Sequence, residues 1–474
     1  MSSEKIAFLW SGAGKISQFI LSFVSSILIA RKLSPEDYGF VGVLSLFVVI
    51  STLLVDSGFK DVLILNSKKN TNKEYTSVFF VNISIGILLY LLLYLLAPLL
   101  GSFFNNFNLV KLSRILFLSI IVNSLSMIPL TILTIKMNFK KIAMIDSMSL
   151  LFSSCLGLYM AYNGYRYWSL VFPLLFSSVL KLVSYWYVVG WFPDMRISFK
   201  FISDQFSFCL KLLLTRIFGA LSSNLIPFLL GKFYSFSAVG FFNRANNFQS
   251  ITDKLIVTTV GEVSFPILSN ATEIKRLHKF KLLIKLSAMV TFPISVVLSV
   301  VSKPLILLLL SHKWYGSIEP LQILSFLIST SLLTYIISNI LKIVGEINFL
   351  LRSSILKNIV TVLALLVSSF YGVNVLCYTF VVVNIFFYVF YIYYTSKVIS
   401  YSFNDQLKDI SPVFIISFVL YIVMNLINYV PFYSDMLLLM SQFFIASLVI
   451  VSLYYFFLRK EINYFLSIIT NQQS

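Results

Sequence analysis

Residues 28–40 read Leu-Ile-Ala-Arg-Lys-Leu-Ser-Pro-Glu-Asp-Tyr-Gly-Phe, and they join two apolar segments of the chain. Two cations, Arg31 and the lysine after it, end the first segment. In the polar turn that follows, Ser34 suits the N-cap of a helix and Pro35 its first position. The two acidic residues after the proline favour the positive end of a helix dipole. The stretch therefore predicts a hairpin of two helices, the second beginning near Tyr38.

A weaker copy of this junction lies about 201 residues further along the chain. Residues 229–241 read Leu-Leu-Gly-Lys-Phe-Tyr-Ser-Phe-Ser-Ala-Val-Gly-Phe. In this register Ser34 corresponds to Ser235, and Gly39 corresponds to Gly240. The match predicts that one membrane-embedded half is used twice, which is how many transporters are built.

The composition is that of a membrane protein. Hydrophobic residues make up 58% of the chain and charged residues 11%, and the mean hydropathy is +0.91. A soluble domain carries about 25% charged residues, whereas a membrane-spanning helix needs about 20 mostly apolar ones. We therefore predict an all-α polytopic membrane protein without a separate soluble domain. The first apolar run lacks a small-residue cleavage pattern, so we interpret it as a retained helix.

Apolar windows separated by polar residues predict about 14 transmembrane helices. The predicted spans are residues 8–30, 38–64, 75–97, 111–135, 142–163, 167–190, 209–233, 239–268, 282–310, 320–344, 353–372, 374–396, 411–429 and 434–457. We expect an N-terminal six-helix bundle over 1–190 and a cytoplasmic linker with an amphipathic segment over 191–208. A second six-helix bundle is expected over 209–397, and two additional helices with a cytoplasmic tail over 398–474.

The distribution of cations predicts that both termini are cytoplasmic. About 20 lysines and arginines fall on the side of the N-terminus and about 8 on the opposite side, which is the bias of the positive-inside rule. An even number of helices agrees with this topology. The net charge of +18 follows from the same rule and from anionic lipid headgroups. No nucleic-acid partner is expected.

Cysteine and histidine usage gives no sign of soluble-type catalysis. The three cysteines, Cys155, Cys209 and Cys377, occur singly within apolar runs, and His278 and His312 fall in separate loops. The sequence contains no nucleophile elbow and no phosphate-binding glycine loop. We therefore expect neither an enzyme nor a bound metal or cofactor.

Charged residues inside the predicted helices are the candidate functional residues, because a charge at bilayer depth is costly and usually faces a wet cavity. They are Lys15, Asp56, Lys60, Asp61, Lys181, Lys211, Arg216, Arg244, Asp253, Lys254, Glu262 and Lys342. Asp56 and Lys60 have helical i, i+4 spacing and could neutralise each other. Alternatively, their helix ends near Ile64 and they approach the cytoplasmic interface. Lys181 and Lys211 are interpreted as lysines that extend to the membrane interface.

Arg216 and Arg244 lie several residues inside their predicted helices. Arginine forks bind phosphate oxygens in a bidentate manner, so two arginines from facing helices could hold a pyrophosphate. Arg216 lies about 20 residues from the turn between the two helices and Arg244 only a few, so the two differ in depth. We expect a headgroup to meet Arg216 first and Arg244 later, with Lys60 helping at the inner end.

Several motifs resemble one membrane-protein family. Residues 30–39, with Asp-Ser-Gly-Phe at 56–59, are similar to the start of the polysaccharide-transport branch of the multidrug/oligosaccharidyl-lipid/polysaccharide exporter superfamily. Residues 231–233, 240–241 and 265–269 match the second-half pattern of these Wzx-type flippases. The resemblance extends to the topology of two six-helix halves and two added helices.

The resemblance implies transport of undecaprenyl-pyrophosphate-linked oligosaccharide repeat units of O-antigen, capsule or exopolysaccharide. The repeat unit would cross the bacterial inner membrane by alternating access around a cationic cavity. A proton or sodium ion would drive transport, and membrane lipids, a polymerase and other assembly proteins would be partners. On this basis we assign substrate contacts to Arg216, Arg244, Lys60, Lys254 and Arg31. Ion coupling is assigned to Asp56, Asp253 and Glu262.

The sequence departs from the family at residues 226–227, where many relatives carry an acidic–basic pair and this chain has Ile-Pro. The role of that pair is therefore not transferred, and Pro227 is expected to bend the seventh helix. Two other functions remain open. A multidrug or cation antiporter of the same superfamily would favour acidic cavity residues. A membrane-embedded repeat-unit polymerase would need a large external loop with catalytic residues.

The predicted topology is tested by cysteine labelling in intact cells. A membrane-impermeant thiol reagent should modify Glu36→Cys, because the turn at residues 34–38 is expected outside. The same reagent should leave Lys69→Cys unmodified until the membrane is permeabilised. The reverse labelling pattern would contradict the orientation, and equal labelling of both positions would contradict the single span between them.

Overall fold

The computed structural model describes residues 3–67, 70–194, 196–430 and 433–457, apart from the side chains of 3–16, 258, 259, 262, 456 and 457. Over these residues the chain forms 18 α-helices, one π-helical turn and one 3-10 turn, with no β-strand. The predicted all-α class is confirmed. The chain divides into two compact units, Met1–Gly240 and Phe241–Ser474.

The helices up to the unit boundary are α1 (Ser3–Lys32), α2 (Pro35–Asp56), α3 (Phe59–Leu65), α4 (Asn72–Phe103), α5 (Asn108–Leu116), α6 (Leu118–Ile135), α7 (Phe139–Tyr162), α8 (Trp168–Val189), α9 (Phe199–Phe233) and α10 (Phe236–Ile256). The boundary falls near the start of α10. A π-helical turn, Val257–Gly261, follows α10. The remaining helices are α11 (Glu262–Ser269), α12 (Glu273–Leu309), α13 (Ile318–Leu324), α14 (Leu327–Ile343), α15 (Ile347–Ser368), α16 (Val373–Val398), α17 (Phe403–Ile427) and α18 (Asp435–Phe457).

Among the described residues, 11 helices are long and apolar enough to cross a membrane, or 12 if a bent pair counts as one span. That pair is His312–Leu324 with Leu327–Ile343, bent by 41°. Two predicted spans, 8–30 and 239–268, correspond to α1 and to α10 with α11, which are helical but are not among these candidates. Polar side chains such as Arg244 lower the hydropathy of α10. The total of about 14 spans therefore stays a prediction.

Two prolines lie inside continuous helices, and one of them is the proline that was expected to bend the seventh helix. Pro304 lies within α12, so that helix does not end before residue 309. Pro227 lies within α9, which begins with the predicted amphipathic segment and continues without a break to Phe233. Neighbouring helices and side chains can compensate for the backbone hydrogen bond that a proline removes. The domain boundaries proposed from the sequence stay predictions.

The junction between α1 and α2 has the predicted capping chemistry. Ser34 is the N-cap of α2 and Pro35 follows it at the start of the helix. The Ser34 hydroxyl donates to Asp37 Oδ2 at 2.7 Å, and the backbone N–H of Asp37 donates to Ser34 Oγ at 3.3 Å. Arg166, in the turn before α8, places its Nε 3.4 Å from Asp37 Oδ1 and so ties the two turns together. This partner of Asp37 was not predicted.

The two copies of the junction meet through their glycines. A Cβ on Gly39 would lie 1.8 Å from the carbonyl oxygen of Phe236, and a Cβ on Gly240 would lie 1.9 Å from the carbonyl oxygen of Pro35. The register of the sequence repeat also relates Pro35 to Phe236. The contact is therefore reciprocal, and it supports the repeat. The starts of α2 and α10 cross with no side chain between their backbones.

We expect alanine at either glycine to destabilise the protein. Helix propensity alone favours alanine over glycine by about 1 kcal/mol. Here the added methyl group overlaps a backbone oxygen, so the helices must separate, and such overpacking typically costs about 1–3 kcal/mol. Gly39→Ala and Gly240→Ala should each lower the Tm of the purified protein by several degrees.

Gly86→Ala is the matched control for these variants. Its Cβ would lie 2.8 Å from the Ser124 hydroxyl oxygen and 3.0 Å from the Ser124 Cβ. Rotation of the hydroxyl and a small shift of the helix relieve these contacts, whereas the overlap with a backbone carbonyl at 1.8 or 1.9 Å requires the helices to separate. A Tm change in Gly39→Ala and Gly240→Ala no larger than that in Gly86→Ala would show that the crossing tolerates a side chain.

Candidate functional site

A helix break in the first unit brings three charged residues together. The helix predicted over 38–64 is interrupted, because Ser57 and Gly58 adopt left-handed conformations with φ of 47° and 76°. At this break α9 comes close, since a Cβ on Gly58 would lie 3.3 Å from the Cα of Cys209. The end of α2 and the start of α3 therefore face α9.

Arg216 of α9 lies between two carboxylates from that break. Its Nη1 is 3.2 Å from Asp56 Oδ2, and its Nη2 is 2.6 Å from Asp61 Oδ2. The side chains are 38%, 24% and 34% exposed for Arg216, Asp56 and Asp61, respectively. We call these three residues the arginine–aspartate cluster. Its members are neither sealed from water nor fully exposed, so an ion or an anionic group can approach them.

Lys60 belongs to the surroundings of this cluster. It lies on α3, one residue before Asp61, and its ammonium attracts the Asp56 carboxylate electrostatically. The helix break interrupts the regular i, i+4 spacing expected for Asp56 and Lys60, and the ion pair that Asp56 makes is with Arg216. With two carboxylates, one guanidinium and one ammonium, the formal charges of the group cancel.

The structure thus unites residues that were assigned separate roles. Asp56 was expected in ion coupling and Arg216 and Lys60 in substrate contact, whereas Asp61 had no assigned role although it makes the shortest contact to Arg216. Asp61 was among the charged candidates from the sequence, and only its contact with Arg216 distinguishes it from the others. Arg31, the remaining substrate residue predicted in the first unit, is exposed at the end of α1.

A second ion pair in this unit was missed by sequence analysis. Lys181 Nζ of α8 is 3.1 Å from Asp146 Oδ1 of α7, and the Tyr185 hydroxyl donates to the same oxygen at 2.8 Å. Lys181 therefore has an acidic partner inside the helical bundle. The signal was available, because Asp146 lies within the predicted span 142–163.

The predicted residues of the second unit lie along α10 and the turn after it. Arg244 is 4% exposed, and its Cζ lies 5.5 Å from the centroid of the buried Trp314 ring, within cation–π distance. The Ser331 hydroxyl donates to Asp253 Oδ1. Lys254 is exposed. The side chain of Glu262 lies outside the described residues. The structure therefore gives Arg244 and Asp253 buried or partly buried surroundings, and their functional roles stay predictions.

Comparisons with known proteins identify the family. Residues 28–319, more than half of the chain, match the family described as "Polysaccharide biosynthesis protein". The succinoglycan biosynthesis transport protein ExoT of Rhizobium meliloti is 24% identical over 64% of this chain and 62% of its own. The teichuronic acid biosynthesis protein TuaB of Bacillus subtilis is 24% identical over 67% of this chain and 66% of its own. The lipopolysaccharide biosynthesis protein WzxC of Escherichia coli is 22% identical over 66% and 65%.

These alignments span less than two thirds of the length of each relative named above. Solved structures extend the comparison across the whole fold. The inward closed conformation of the lipid II flippase MurJ superposes with a TM-score of 0.77 at 17% identity, covering 96% of this chain and 100% of that one. An inward-facing multidrug resistance transporter of the MATE family in the MOP superfamily gives 0.62 at 14% identity, covering 80% and 94%. At these identities the likeness shows the fold alone.

Proposed function

The chain belongs to the polysaccharide biosynthesis protein family, and we propose that it is a flippase for undecaprenyl-pyrophosphate-linked oligosaccharide repeat units. The repeat unit would belong to O-antigen, capsule or exopolysaccharide. The names of the relatives and the fold shared with a lipid II flippase support this proposal. The protein would move its substrate across the bacterial inner membrane as a transporter and not as an enzyme.

The observation that carries the mechanism is the arginine–aspartate cluster. Arg216 is held by two carboxylates, and a pyrophosphate oxygen offers the same kind of partner to its guanidinium. Binding of a proton or a sodium ion to Asp56 or Asp61 weakens that carboxylate's hold on Arg216. The guanidinium can then turn to the pyrophosphate.

This competition couples the ion to the substrate. A cation bound at the carboxylates releases Arg216, which can then bind an anion. An anion bound at Arg216 in turn releases the carboxylates, which can then bind a cation. Coupling of this kind is reciprocal, so the ion raises substrate affinity and the substrate raises ion affinity. Alternating access requires such a dependence if an ion gradient is to drive transport.

The second unit supplies the later contact in this proposal. Arg244 is buried against Trp314, and Asp253 and Lys254 follow on the same helix. The headgroup would meet Arg216 and Lys60 early and Arg244 late, as the depth argument from the sequence predicts.

We place both termini in the cytoplasm and assign about 14 spans to two six-helix bundles with two added helices. A polymerase and other assembly proteins would receive the product.

One observation favours a second candidate, a multidrug or cation antiporter. The two partly exposed carboxylates, Asp56 and Asp61, could bind an organic cation once Arg216 moves away, and the fold is shared with a multidrug resistance transporter. An antiporter of this kind would confer drug resistance that does not depend on surface polysaccharide. Resistance and polysaccharide phenotypes in one deletion strain therefore separate the two candidates.

We expect Arg216→Ala to abolish surface polysaccharide in a deletion strain complemented with the variant, at unchanged protein level. Lipid-linked repeat units should accumulate in the inner leaflet, because the substrate loses its first cationic contact.

Asp61→Asn should reduce transport and change its dependence on the ion gradient. Arg216→Lys should restore part of the activity if charge suffices, and none if the bidentate fork is required.

The Lys181–Asp146 pair provides the matched control within the same unit. Lys181→Ala also leaves one carboxylate without its cation, but the pair lies on α7 and α8 and has no proposed substrate role. Loss of polysaccharide in Arg216→Ala but not in Lys181→Ala would support the proposal. Normal flipping by Arg216→Ala, or equal loss in both variants, would contradict a specific role for the arginine–aspartate cluster.

A further inference from the structure

Two adjoining cavities in the second unit form one site with an apolar and a polar part. The larger has a volume of about 750 Å³ and lies among α12, α14, α16 and α17. The smaller, of about 320 Å³, is lined by residues of α12, α13, α16 and α17. Phe326 and Tyr421 line both cavities, so a single molecule could extend from one into the other. We call the larger cavity the apolar groove and the smaller one the polar pocket.

The apolar groove follows one face of α17. Along this helix its lining residues recur every three or four positions, namely Leu407, Ile410, Ser411, Phe414, Ser417, Phe418 and Tyr421. From Leu407 to Tyr421 the helix rises by about 21 Å, which exceeds half of the roughly 30 Å hydrocarbon core of a bilayer. No charged residue lines the groove. The groove therefore has the length and the chemistry to hold a lipid acyl chain.

The rim of the groove is open. Ile385 and Val389 of α16 and Phe414 and Phe418 of α17 are all classed as exposed, with 57% of each phenylalanine accessible. Exposed apolar side chains on candidate membrane spans are expected to face hydrocarbon. A lipid chain can therefore enter the groove sideways between α16 and α17.

Two buried hydroxyl groups line the groove without a hydrogen-bond partner among the described residues. They belong to Ser417, which is 3% exposed, and Tyr388, which is 6% exposed. Buried hydroxyls are rarely unpaired, so each calls for an explanation. Ser417 lies one helical turn from Tyr421, about 6 Å from the polar pocket along the axis of α17. This is where the ester carbonyl of a phospholipid lies when its headgroup occupies the pocket.

The polar pocket has one charged lining residue, Glu319. The side-chain amide of Asn374 donates to Glu319 Oε2. The side-chain amide of Asn425 donates to the carbonyl oxygen of Tyr421 at 2.9 Å, which leaves its own oxygen as an acceptor. With no lysine or arginine in the lining, the pocket suits a cationic group with N–H donors and disfavours a net anionic headgroup.

Three of the four helices that line the pocket contribute residues from one of their ends. Glu319 is in the first turn of α13, Asn374 in the first turn of α16 and Asn425 in the last turn of α17. In the topology predicted from the sequence, these helix ends face the outside of the cell. The polar pocket then sits at headgroup level of the outer leaflet, and the apolar groove extends from it toward the middle of the bilayer.

We propose that this combined site binds a phospholipid with a primary ammonium headgroup, phosphatidylethanolamine. The ammonium donates to the Glu319 carboxylate, and one acyl chain occupies the apolar groove. The hydroxyls of Tyr378 and Tyr421, both of which line the pocket, can donate to the phosphate. Ser417 donates to an ester carbonyl. A pyrophosphate-linked lipid is a poor fit here, because its additional charge would meet no cation in either lining.

The proposal is tested by native mass spectrometry on the purified full-length protein. Dioleoyl phosphatidylethanolamine, phosphatidylcholine and phosphatidylglycerol have the same chains but differ in ammonium N–H donors and in net charge. The first lipid should give several-fold more adduct than the other two. Equal binding of all three, or a preference for phosphatidylglycerol, would overturn the proposal.

Two variants test which carboxylate is responsible for the preference for phosphatidylethanolamine. Glu319→Gln should abolish the preference for phosphatidylethanolamine. The matched control Glu346→Gln should retain it, because that carboxylate lies before α15 and accepts a hydrogen bond from the Tyr394 hydroxyl outside the pocket. A preference that survives in Glu319→Gln, or is lost equally in both variants, would contradict the assignment of the ammonium to Glu319.

A third variant tests the role of Ser417. Ser417→Ala removes the hydroxyl donor without adding bulk to the buried site. It should lower adduct formation by ester-linked phosphatidylethanolamine, while leaving that of the diether analogue, which has no ester carbonyl, unchanged. Two outcomes would contradict a contact between Ser417 and the ester: an equal change in adduct formation for both lipids, or no change for either lipid.

Discussion

The starts of α2 and α10 approach so closely that backbone meets backbone, and this close approach constrains the residues at the crossing. Gly39 faces the carbonyl oxygen of Phe236, and Gly240 faces that of Pro35. Any side chain at either glycine would force the helices apart. In a lipid environment, where burial of apolar surface gives little drive for association, close contact between small residues is a principal source of helix packing. The crossing also gives a physical reason for the glycine that both copies of the junction share, at positions 39 and 240.

Electrostatics imposes a second constraint on this unit. A charge within a bilayer is costly, so each one needs a partner or access to water. Arg216 satisfies this requirement with two carboxylates from a broken helix, and Lys181 does so with Asp146. The difference is that Arg216 has two carboxylate partners where Lys181 has one. In the mechanism we propose, a cation at the carboxylates and a pyrophosphate at Arg216 together leave no charge unpaired.

The second unit satisfies several of its polar groups through hydrogen bonds between neighbouring helices. Asn339 donates to Ser264 at 2.9 Å, and Ser331 donates to Asp253, so polar residues of neighbouring helices satisfy one another. The exceptions among the described residues include the hydroxyls of Ser417 and Tyr388, which line the apolar groove. A lipid at this site would connect the protein to the composition of its membrane, separately from the transport path that we propose at the arginine–aspartate cluster.

The sequence by itself determined the all-α membrane class, most of the spans, the cap at Ser34 and the family, because hydropathy, cation distribution and helix capping depend on nearby residues. Only the tertiary structure decided that Arg216 lies between Asp56 and Asp61, that Lys181 pairs with Asp146 and that Ser57 and Gly58 break the second helix. Contacts between residues more than 150 positions apart, as in the Arg216 pairs, depend on which helix faces pack together. Local hydropathy carries no information about that choice.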